Sequence, residues 1–376
     1  MEKSGWMRRI ATCPVVMGLA ALSAGAPALA GDDPVDWSDS LSRNRPWDAW
    51  LTLERAGDNA QIAAQVGAFL GDERPACMLR PPSLPPQAAE LEYVEALGAI
   101  VAAAKDARVV MLNESHVRRA HRVFLGRLIE ALQPLGFDAL AAETFSPEAA
   151  ETLRDGVPKA ATGFYTADPA FADAVRRAHA MGWDFVSYES ADASGRDQRE
   201  QDQADALAAW IEAHPGRRLL VYAGGSHVSE DPDAGWMAAR FAARTGIDPL
   251  TIAQGPTACT NRGDDWGFDS DVPMVAMRAG APVAANHVDM VVFHPPAAVM
   301  AAESSRGHEV AICVAPETGS TLLRAFAKGE GDDAIPRDQR VVPAGEREGR
   351  LRLPPGRYRV VREHRGGVGD LGRVDI

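Results

Sequence analysis

The sequence Arg108-Val109-Val110-Met111-Leu112-Asn113-Glu114-Ser115-His116 changes abruptly from apolar to polar. The consecutive apolar residues 109–112 predict a short strand that is buried on both faces of a sheet. The polar residues 113–116 predict a loop at the carboxyl end of that strand. A helix is predicted to follow, because the apolar residues between 124 and 132 fall on one helical face.

Further strands are predicted downstream, and each is separated from the next by a helical pattern. These strands are Phe137–Ala142, Trp183–Tyr188, Leu219–Ala223 and Leu250–Ile252, with Val288–Phe293 as one more candidate. Strands that alternate with helices are typical of an α/β fold with a mostly parallel sheet and flanking helices. We assign this predicted core to residues 96–300.

Residues 301–376 have a different pattern. Short strand-like runs alternate with glycine and proline turns, as in Leu353-Pro354-Pro355-Gly356-Arg357-Tyr358. Several short strands with regularly spaced turn residues indicate antiparallel pairing. The sequence therefore predicts a small C-terminal antiparallel β module.

The first thirty residues have the features of a signal peptide. They combine a positively charged start, an apolar stretch too short to span a bilayer, and the small-x-small sequence Ala28-Leu29-Ala30. We predict cleavage after Ala30 and a periplasmic or secreted protein. Residues 31–95 then form an N-terminal extension that contains a proline-rich connector at 80–86.

Composition excludes several partners. The chain has 376 residues and a formal net charge of −13, so it repels nucleic-acid phosphates. No stretch after the signal peptide is long enough to predict a membrane span, and no partner protein is inferred. The predicted mature chain has three cysteines, Cys77, Cys259 and Cys313, which allow at most one internal disulfide and leave the pairing open.

Side chains that carry chemistry follow each of the first five predicted strands. They are, in strand order, Glu114 with His116, then Glu143, Glu189, His227 and Gln254. Ligands of parallel α/β sheets bind beyond the carboxyl ends of the strands, so we expect these groups to converge. Glycines 224 and 225 allow the backbone to turn sharply before His227.

Glu114, His116, Glu143 and His227 are the candidate catalytic residues, and two chemistries fit them. In the first, a histidine oriented by a carboxylate activates water for attack on an ester, lactone or amide. In the second, Glu114, His116 and His227 hold a divalent metal that activates the water. The sequence has neither HExxH nor GxSxG, which argues against a zincin helix and against a serine hydrolase.

The helix after the first strand carries Arg118, His121 and Arg122 on its first turn. These side chains either reach a substrate or cover the helix surface. Together with Glu189 and Gln254 they are the candidate substrate-binding residues, for a small molecule or a peptide. The positive end of this helix also favours an anionic group beside it.

Three segments resemble the superfamily that contains erythromycin-esterase-like and ChaN-like proteins, with which TraB/Tiki proteins are grouped. They are Asn113-Glu114-Ser115-His116, the run from Gly136-Phe137 to Ala142-Glu143, and Gly224-Gly225-Ser226-His227. The family motifs are Gly-Glu-x-His and a later Gly-x-x-His after a strand. The resemblance covers residues 95–260, and Asn113 stands where the family usually has glycine.

The resemblance implies several activities. The esterase branch hydrolyses macrolide lactones with histidine and glutamate, the Tiki branch is a metal-dependent protease, and the ChaN-like branch is an exported haem-binding lipoprotein. Carried over by motif, Glu114, His116, Glu143 and His227 are the implied functional positions.

We therefore predict an exported hydrolase of unknown substrate. The alternative is a periplasmic protein that binds haem or another ligand without catalysis, with a motif histidine as axial ligand. The sequence does not decide which cofactor is bound: a divalent metal fits the hydrolase, and haem fits the alternative.

Overall fold

The computed structural model describes residues 36–57, 59–79, 89–191, 195–255, 271–295, 307–365 and 367–376. The predicted signal peptide, the proline-rich run 80–86 and Cys259 lie outside the described residues, as does the side chain of Cys77.

The described helices, α1 to α10, are Trp37–Ser42, Pro46–Ala56, Ala60–Phe69, Arg74–Leu79, Ala96–Ala103, Arg119–Leu132, Ala149–Thr152, Pro169–Ala180, Arg196–Ala213 and Met237–Thr245. The described strands, β1 to β15, are Glu92–Glu95, Val109–Glu114, Phe137–Ala142, Asp184–Val186, Arg218–Gly224, Leu250–Gln254, Met274–Arg278, Ala281–Pro282, Met290–Phe293, His308–Cys313, Thr321–Ala327, Asp338–Val342, Glu348–Leu353, Arg357–His364 and Gly367–Asp375.

The first nine of these strands form one mixed, mostly parallel sheet with flanking helices. Its order is β1-β7-β9-β6-β2-β5-β3-β4, and β8 pairs with β7. The strands from β9 to β4 in this order run parallel to their neighbours, whereas β1, β7 and β8 pair antiparallel at one edge. The predicted α/β fold class is confirmed, and the antiparallel edge is an addition to the prediction.

Strand β2 lies inside this sheet and is covered on both faces. Val110 and Leu112 belong to the same apolar cluster as Phe124 of α6, whereas Val109 and Met111 belong to a cluster on the opposite face. Successive side chains of a strand point to opposite faces, so a continuous apolar run is what a doubly covered strand requires.

Residues 307–376, apart from Gly366, form the predicted antiparallel β module. Its strands are arranged as a four-stranded sheet, β12-β11-β14-β15, and a two-stranded sheet, β10-β13. Leu323, Leu351 and Tyr358 are buried together in the apolar core of the module. Cys313, at the end of β10, is disulfide-bonded.

The N-terminal helices contact both the α/β core and the β module. Trp47 packs against Leu322 of β11, and Asn44 donates a hydrogen bond through Nδ2 to the carbonyl of Ala334 (2.8 Å). On the other side, Phe69 packs edge to face against Phe164, with ring centroids 5.6 Å apart. Among the described helices, none combines the length and the apolar character that a membrane span needs.

Candidate active site

A cleft of about 370 Å³ lies at the carboxyl ends of β2, β3 and β5, and we call it the strand-end cleft. The sheet register pairs Glu114 with Gly224 and Ala142 with Tyr222, so these strands end at one edge of the sheet. The described residues that line it are Gln61, Glu114, Ser115, His116, Glu143, Arg196, Arg199, Glu200, Gly224, Gly225, Ser226, His227 and Trp236. All four candidate catalytic residues are among them.

His116 and Glu114 form the first histidine–carboxylate pair of the cleft. Nδ1 of His116 lies 2.8 Å from Oε1 of Glu114. An ionised carboxylate only accepts hydrogen bonds, so this contact assigns the ring proton to Nδ1 and leaves a lone pair on Nε2. The imidazole also stacks on Tyr165, with centroids 4.2 Å apart and planes 12° apart.

Glu114 is held by a buried network of charges and hydrogen bonds. Nε and Nη2 of Arg122 donate to its two oxygens (2.9 and 3.0 Å), and the hydroxyl of Tyr222 donates to Oε2 (2.7 Å). Nη1 of Arg122 donates to Asp168 (2.9 Å), which is itself fully buried. Burial alone would raise the pKa of Glu114, but the charge of Arg122 and the hydrogen bonds hold that pKa well below its usual range.

His227 and Glu200 form the second histidine–carboxylate pair. The 3₁₀ turn Gly225–Val228 follows β5 and places His227 in the cleft. Nδ1 of His227 lies 2.9 Å from Oε2 of Glu200, which also accepts a hydrogen bond from the backbone N–H of Met237 (2.9 Å). The other carboxylate oxygen, Oε1 of Glu200, is buried without a hydrogen-bond partner.

Glu143 lies between the two pairs. Its Oε1 accepts a hydrogen bond from Nη2 of Arg199 (2.7 Å) and lies 3.8 Å from Nε2 of His227. Its Oε2 accepts from the backbone N–H of Gly224. Burial would raise the pKa of Glu143, but the nearby His227 and His116, the Gly224 N–H and Arg199 outweigh it and lower that pKa. Glu143 is therefore ionised at neutral pH.

Gly224 allows the two sides of the cleft to approach each other. A Cβ at this position would clash with Cε1 and Nε2 of His116 and would lie 2.9 Å from Oε2 of Glu143. Nε2 of His116 and the carboxylate of Glu143 are thus brought together over the α-carbon of Gly224. Any side chain at position 224 would separate them.

Arg199 lines the strand-end cleft and pairs with Glu189, which is not among the described lining residues. Nε of Arg199 donates to Oε1 of Glu189 (2.8 Å), and Nη1 donates to Nε2 of His227 (3.3 Å). Gln203, which is fully buried, donates to both oxygens of Glu189 (3.1 Å each). The hydrogen bonds to Glu189 and Glu143 raise the pKa of Arg199, so it carries a fixed positive charge at the cleft.

Arg118 and His121 are buried under the loop instead of lining the cleft. Nδ1 of His121 accepts a hydrogen bond from the backbone N–H of Ser115 (2.9 Å), and Nε2 donates to the carbonyl of Gly255 (3.1 Å). Burial lowers the pKa of His121 to about 3, so it is neutral. Arg122 contacts the site through hydrogen bonds to Glu114, His116 and Asp168 and through the ring of Tyr165, over which its guanidinium lies.

The start of α6 is closed by an anionic side chain of this protein. Oε1 of Glu73 accepts a hydrogen bond from the backbone N–H of Arg119 (2.7 Å), and Oε2 lies 3.8 Å from Arg118. The sequence predicted that the positive end of this helix favours an anion, and the carboxylate of Glu73, the residue just before α4, occupies that place.

Gln254 and Asn113 tie neighbouring strand ends together. Nδ2 of Asn113 donates to the carbonyl of Gly225 (2.7 Å), and its Oδ1 accepts from the backbone N–H of Gln254 (2.6 Å). Oε1 of Gln254 accepts from His294 (2.8 Å). Asn113 thus connects the end of β2 to the turn that follows β5 and to the end of β6.

Several contributors to the site were absent from the candidate residues, and Glu200, Tyr222 and Asp168 are the carboxylates and the hydroxyl among them that hold the two pairs. Glu200 lies in a run of charged and amide residues on α9, where nothing in its spacing marks it as buried. Tyr222 could have been noticed in the sequence, because its hydroxyl is the one polar side-chain group in the predicted strand Leu219–Ala223. The position of Asp168 before Pro169 predicts a helix N-cap, and its side chain does accept a hydrogen bond from the backbone N–H of Ala170 (2.9 Å).

The donor set does not suit a metal or haem. Among the described residues, no group of three or more His, Cys, Asp or Glu side chains is arranged to hold a metal ion. Both oxygens of Glu114 accept hydrogen bonds from Arg122, and Nε2 of His227 faces the guanidinium of Arg199, which repels a cation. Trp236 is the one large apolar side chain among the described lining residues, so a flat apolar macrocycle finds little surface to bury.

No protein-family model matches the chain, and no curated protein matches it significantly. Solved structures give distant similarities. The type III effector HopBA1 has 17% identity and a TM-score of 0.38, over 53% of this chain and 93% of that one. ChaN of Campylobacter jejuni, described with cofacially bound heme, has 9% identity and a TM-score of 0.35, over 55% and 98%. RRSP, a MARTX toxin effector domain from Vibrio vulnificus, has 16% identity and a TM-score of 0.28, over 34% and 30%. Similarities this distant assign no activity.

Proposed function

We propose that this protein is a hydrolase that cleaves an ester, lactone or amide bond with water activated by a histidine. One observation carries the proposal: two histidine–carboxylate pairs, His116–Glu114 and His227–Glu200, face the same cleft with Glu143 between them. A histidine whose Nδ1–H is held by a carboxylate is the arrangement that general-base catalysis requires.

His116 is the proposed general base. The ionised Glu114 fixes the proton on Nδ1, so Nε2 has the lone pair that accepts a proton from water. As the water oxygen bonds to the substrate carbonyl carbon, the carbonyl electron pair moves onto oxygen. Collapse of this tetrahedral intermediate breaks the C–O or C–N bond, and the leaving group takes the proton back from His116.

Arg199 and Glu143 stabilise the charges that develop during the proposed reaction. The fixed positive charge of Arg199 at the cleft stabilises the negative charge that develops on the carbonyl oxygen. The ionised Glu143 offsets the positive charge that forms on His116 when it accepts a proton. His227 is held by Glu200 and Arg199 beside them, where it positions the substrate or the leaving group.

The proposal is tested by assaying the purified protein against p-nitrophenyl esters, lactones and aryl amides. His116→Ala and His227→Ala are expected to lower kcat/KM by about 10² to 10⁴ while keeping the fold. Glu114→Gln replaces the alanine variant at that position, because the amide keeps the side-chain volume and one accepting oxygen for Arg122, whereas Glu114→Ala removes both acceptors. The matched control is His287→Ala, since the side chain of His287 is 61% exposed.

Full turnover in both His116→Ala and His227→Ala would contradict the proposed site. Absence of hydrolysis in every substrate class, together with a Soret band after addition of haem, would instead favour the ligand-binding alternative.

We also propose that the protein is exported, as its first thirty residues predict. The disulfide at Cys313 supports this proposal, because disulfides persist in oxidising compartments. Expression of the full chain in a bacterium with an intact secretion system is expected to yield a mature protein that begins at Gly31. N-terminal sequencing of the protein from the periplasmic fraction measures the cleavage site. An uncleaved product in the cytoplasm would contradict the proposed export.

A further inference from the structure

The imidazole of His116 has one hydrogen bond within the described part of the chain, from Nδ1 to Oε1 of Glu114 (2.8 Å). One hydrogen bond fixes a single atom of the ring. The torsion about the Cβ–Cγ bond of histidine is broad, so the ring could still turn about that bond. The side chain of His116 is 23% exposed, so the cleft does not enclose it on all sides. The plane of the ring is therefore set by what lies against its faces.

Tyr165 lies against one face of the His116 ring. The ring centroids are 4.2 Å apart and the planes are 12° apart, which is a stacked arrangement. Atoms of two rings at this separation are already in van der Waals contact, so turning the imidazole would drive one of its edges into the phenol ring. The stack thus fixes the plane that the hydrogen bond to Glu114 leaves open.

Tyr165 is itself held in place from two sides. It lies in the 3₁₀ turn Phe164–Ala167, and its backbone N–H donates to Oγ1 of Thr144 in the turn after β3 (2.7 Å). The guanidinium of Arg122 lies over its ring, 5.2 Å from the centroid. Tyr165 is therefore attached both to the end of β3 and to the arginine that holds Glu114.

A series of aromatic contacts extends from Tyr165 to the N-terminal helices. Phe164 packs edge to face on Tyr165, with centroids 5.1 Å apart. Phe164 also contacts Trp37 of α1 (6.3 Å) and Phe69 of α3 (5.6 Å), and Phe69 is fully buried. The N-terminal extension, for which the sequence predicted no part in the site, therefore supports the ring that stacks on His116.

The phenol of Tyr165 is neutral at neutral pH. Burial and the nearby charges of Glu143 and Glu114 raise the pKa of Tyr165. A neutral aromatic ring presents an electron-rich face, and such a face attracts a cation placed against it. Tyr165 therefore offers His116 a surface that favours the protonated imidazole.

We propose that Tyr165 is a positioning residue for His116: its ring holds the imidazole with Nε2 toward the strand-end cleft and stabilises the imidazolium that forms when His116 takes a proton from water. This inference rests on the proposed function, in which His116 is the general base. The face of the ring does this work and the hydroxyl does not, so phenylalanine replaces tyrosine at this position without loss.

The kinetic test compares Tyr165→Leu with Tyr165→Phe in the full protein. Tyr165→Leu is expected to lower kcat by about 10- to 100-fold with little change in KM, because it disturbs the base and leaves the lining of the cleft in place. Tyr165→Phe is expected to keep kcat within about 2-fold of the wild type. Tyr165→Met is the second variant, because its flexible side chain fills much of the same space, and its kcat is expected to fall in the same direction as that of Tyr165→Leu.

Trp210→Leu is the matched control, since it also removes an aromatic ring that stacks on a histidine. Trp210 lies on His214, with centroids 4.4 Å apart and planes 23° apart, and neither is among the described residues that line the strand-end cleft. Its kcat is expected to equal that of the wild type.

NMR of the protein with isotope-labelled histidine follows the His116 ring without the need for turnover. The ring current of Tyr165 is expected to place the His116 signal, assigned by its loss in His116→Ala, upfield of its position in Tyr165→Leu. Tyr165→Phe is expected to keep the wild-type position. If no substrate is hydrolysed, the proposed function fails, and this signal still decides whether Tyr165 holds the ring. An unchanged His116 signal or an unchanged kcat in Tyr165→Leu, or equal losses of kcat in Tyr165→Phe and Tyr165→Leu, would overturn the inference.

Discussion

The two histidine–carboxylate pairs of the strand-end cleft are built in different ways. Glu114 has both oxygens hydrogen-bonded, by Arg122, Tyr222 and His116, and the network continues to Asp168. Glu200 uses one oxygen for His227 and a backbone N–H, while its other oxygen is buried without a partner. The first pair is therefore fixed by charge, and the second is fixed by packing and one hydrogen-bonding oxygen. The more rigid pair, His116–Glu114, suits the general base. The less constrained pair, His227–Glu200, suits a group that positions the substrate or the leaving group.

The largest effect is expected from removing the charge that holds the first pair. Arg122→Gln leaves Glu114 buried without its guanidinium partner and leaves Asp168 with only Arg119, 3.6 Å away, so it is expected to lower the free energy of unfolding by about 3–5 kcal/mol. Urea denaturation at pH 7 measures the change. Arg74→Gln is the control, because that side chain is 88% exposed and its loss is expected to cost less than about 0.5 kcal/mol. Equal stability of the two variants would show that the network does not hold the first pair.

Gly224→Ala tests whether the two pairs need close approach. The new methyl group would clash with His116 and is expected to lower kcat/KM by about 10²-fold, the cost of a misplacement near 1 Å. Gly225→Ala is the comparison variant. A Cβ there meets nothing within 4 Å, but φ is +44°, so stability is expected to fall while the rings keep their places. Equal kcat/KM for Gly224→Ala and wild type would contradict the geometry.

Tyr222→Phe and Tyr188→Phe compare a hydrogen bond to a charge with one to a carbonyl. Tyr222 donates to the ionised Glu114 (2.7 Å), whereas Tyr188 donates to the backbone carbonyl of Tyr222 (3.0 Å). We expect Tyr222→Phe to cost about 1.5–3 kcal/mol of unfolding free energy and Tyr188→Phe about 1 kcal/mol. Thermal and urea unfolding measure both. A larger loss in Tyr188→Phe would show that Glu114 does not depend on its charged hydrogen bonds.

The last prediction concerns the pH dependence of stability that Glu114 contributes. Its pKa in the folded protein is below the unfolded value of about 4.3, so its contribution is complete above that pH and is lost as the pH falls toward the folded pKa. One such group adds a slope of at most about 1.4 kcal/mol per pH unit. Urea unfolding between pH 5 and pH 2.5 is expected to show a shallower slope for Arg122→Gln than for wild type. Identical slopes would contradict the assignment.

The fold follows from the sequence where local pattern and burial agree. Val109–Leu112 is an apolar run typical of a doubly covered strand, and Phe137–Ala142 is apolar except for Asp138; both are strands in the structure. Because parallel strands end at one edge, the topology also brings Glu143 and His227 together. The strand predicted at Trp183–Tyr188 is shorter in the structure, where it is Asp184–Val186. Among the described strands it pairs with β3 alone, at the edge of the sheet.

The roles of single charged residues were less predictable. Arg122 has the spacing of a surface residue, yet it is fully buried because Glu114 and Asp168 meet it from both sides. Glu200 likewise depends on a partner 27 positions away. Neither burial follows from local spacing, because each is decided by pairing across the tertiary structure.

The central claim is that the two histidine–carboxylate pairs act as one site. A double-mutant cycle on kcat/KM tests it most directly, with His116→Ala, His227→Ala and the double variant assayed on the best ester of the panel. If the pairs act together, the double variant is expected to lose little more activity than the more damaging single variant. Losses that simply multiply, or an unaffected single variant, would contradict the account.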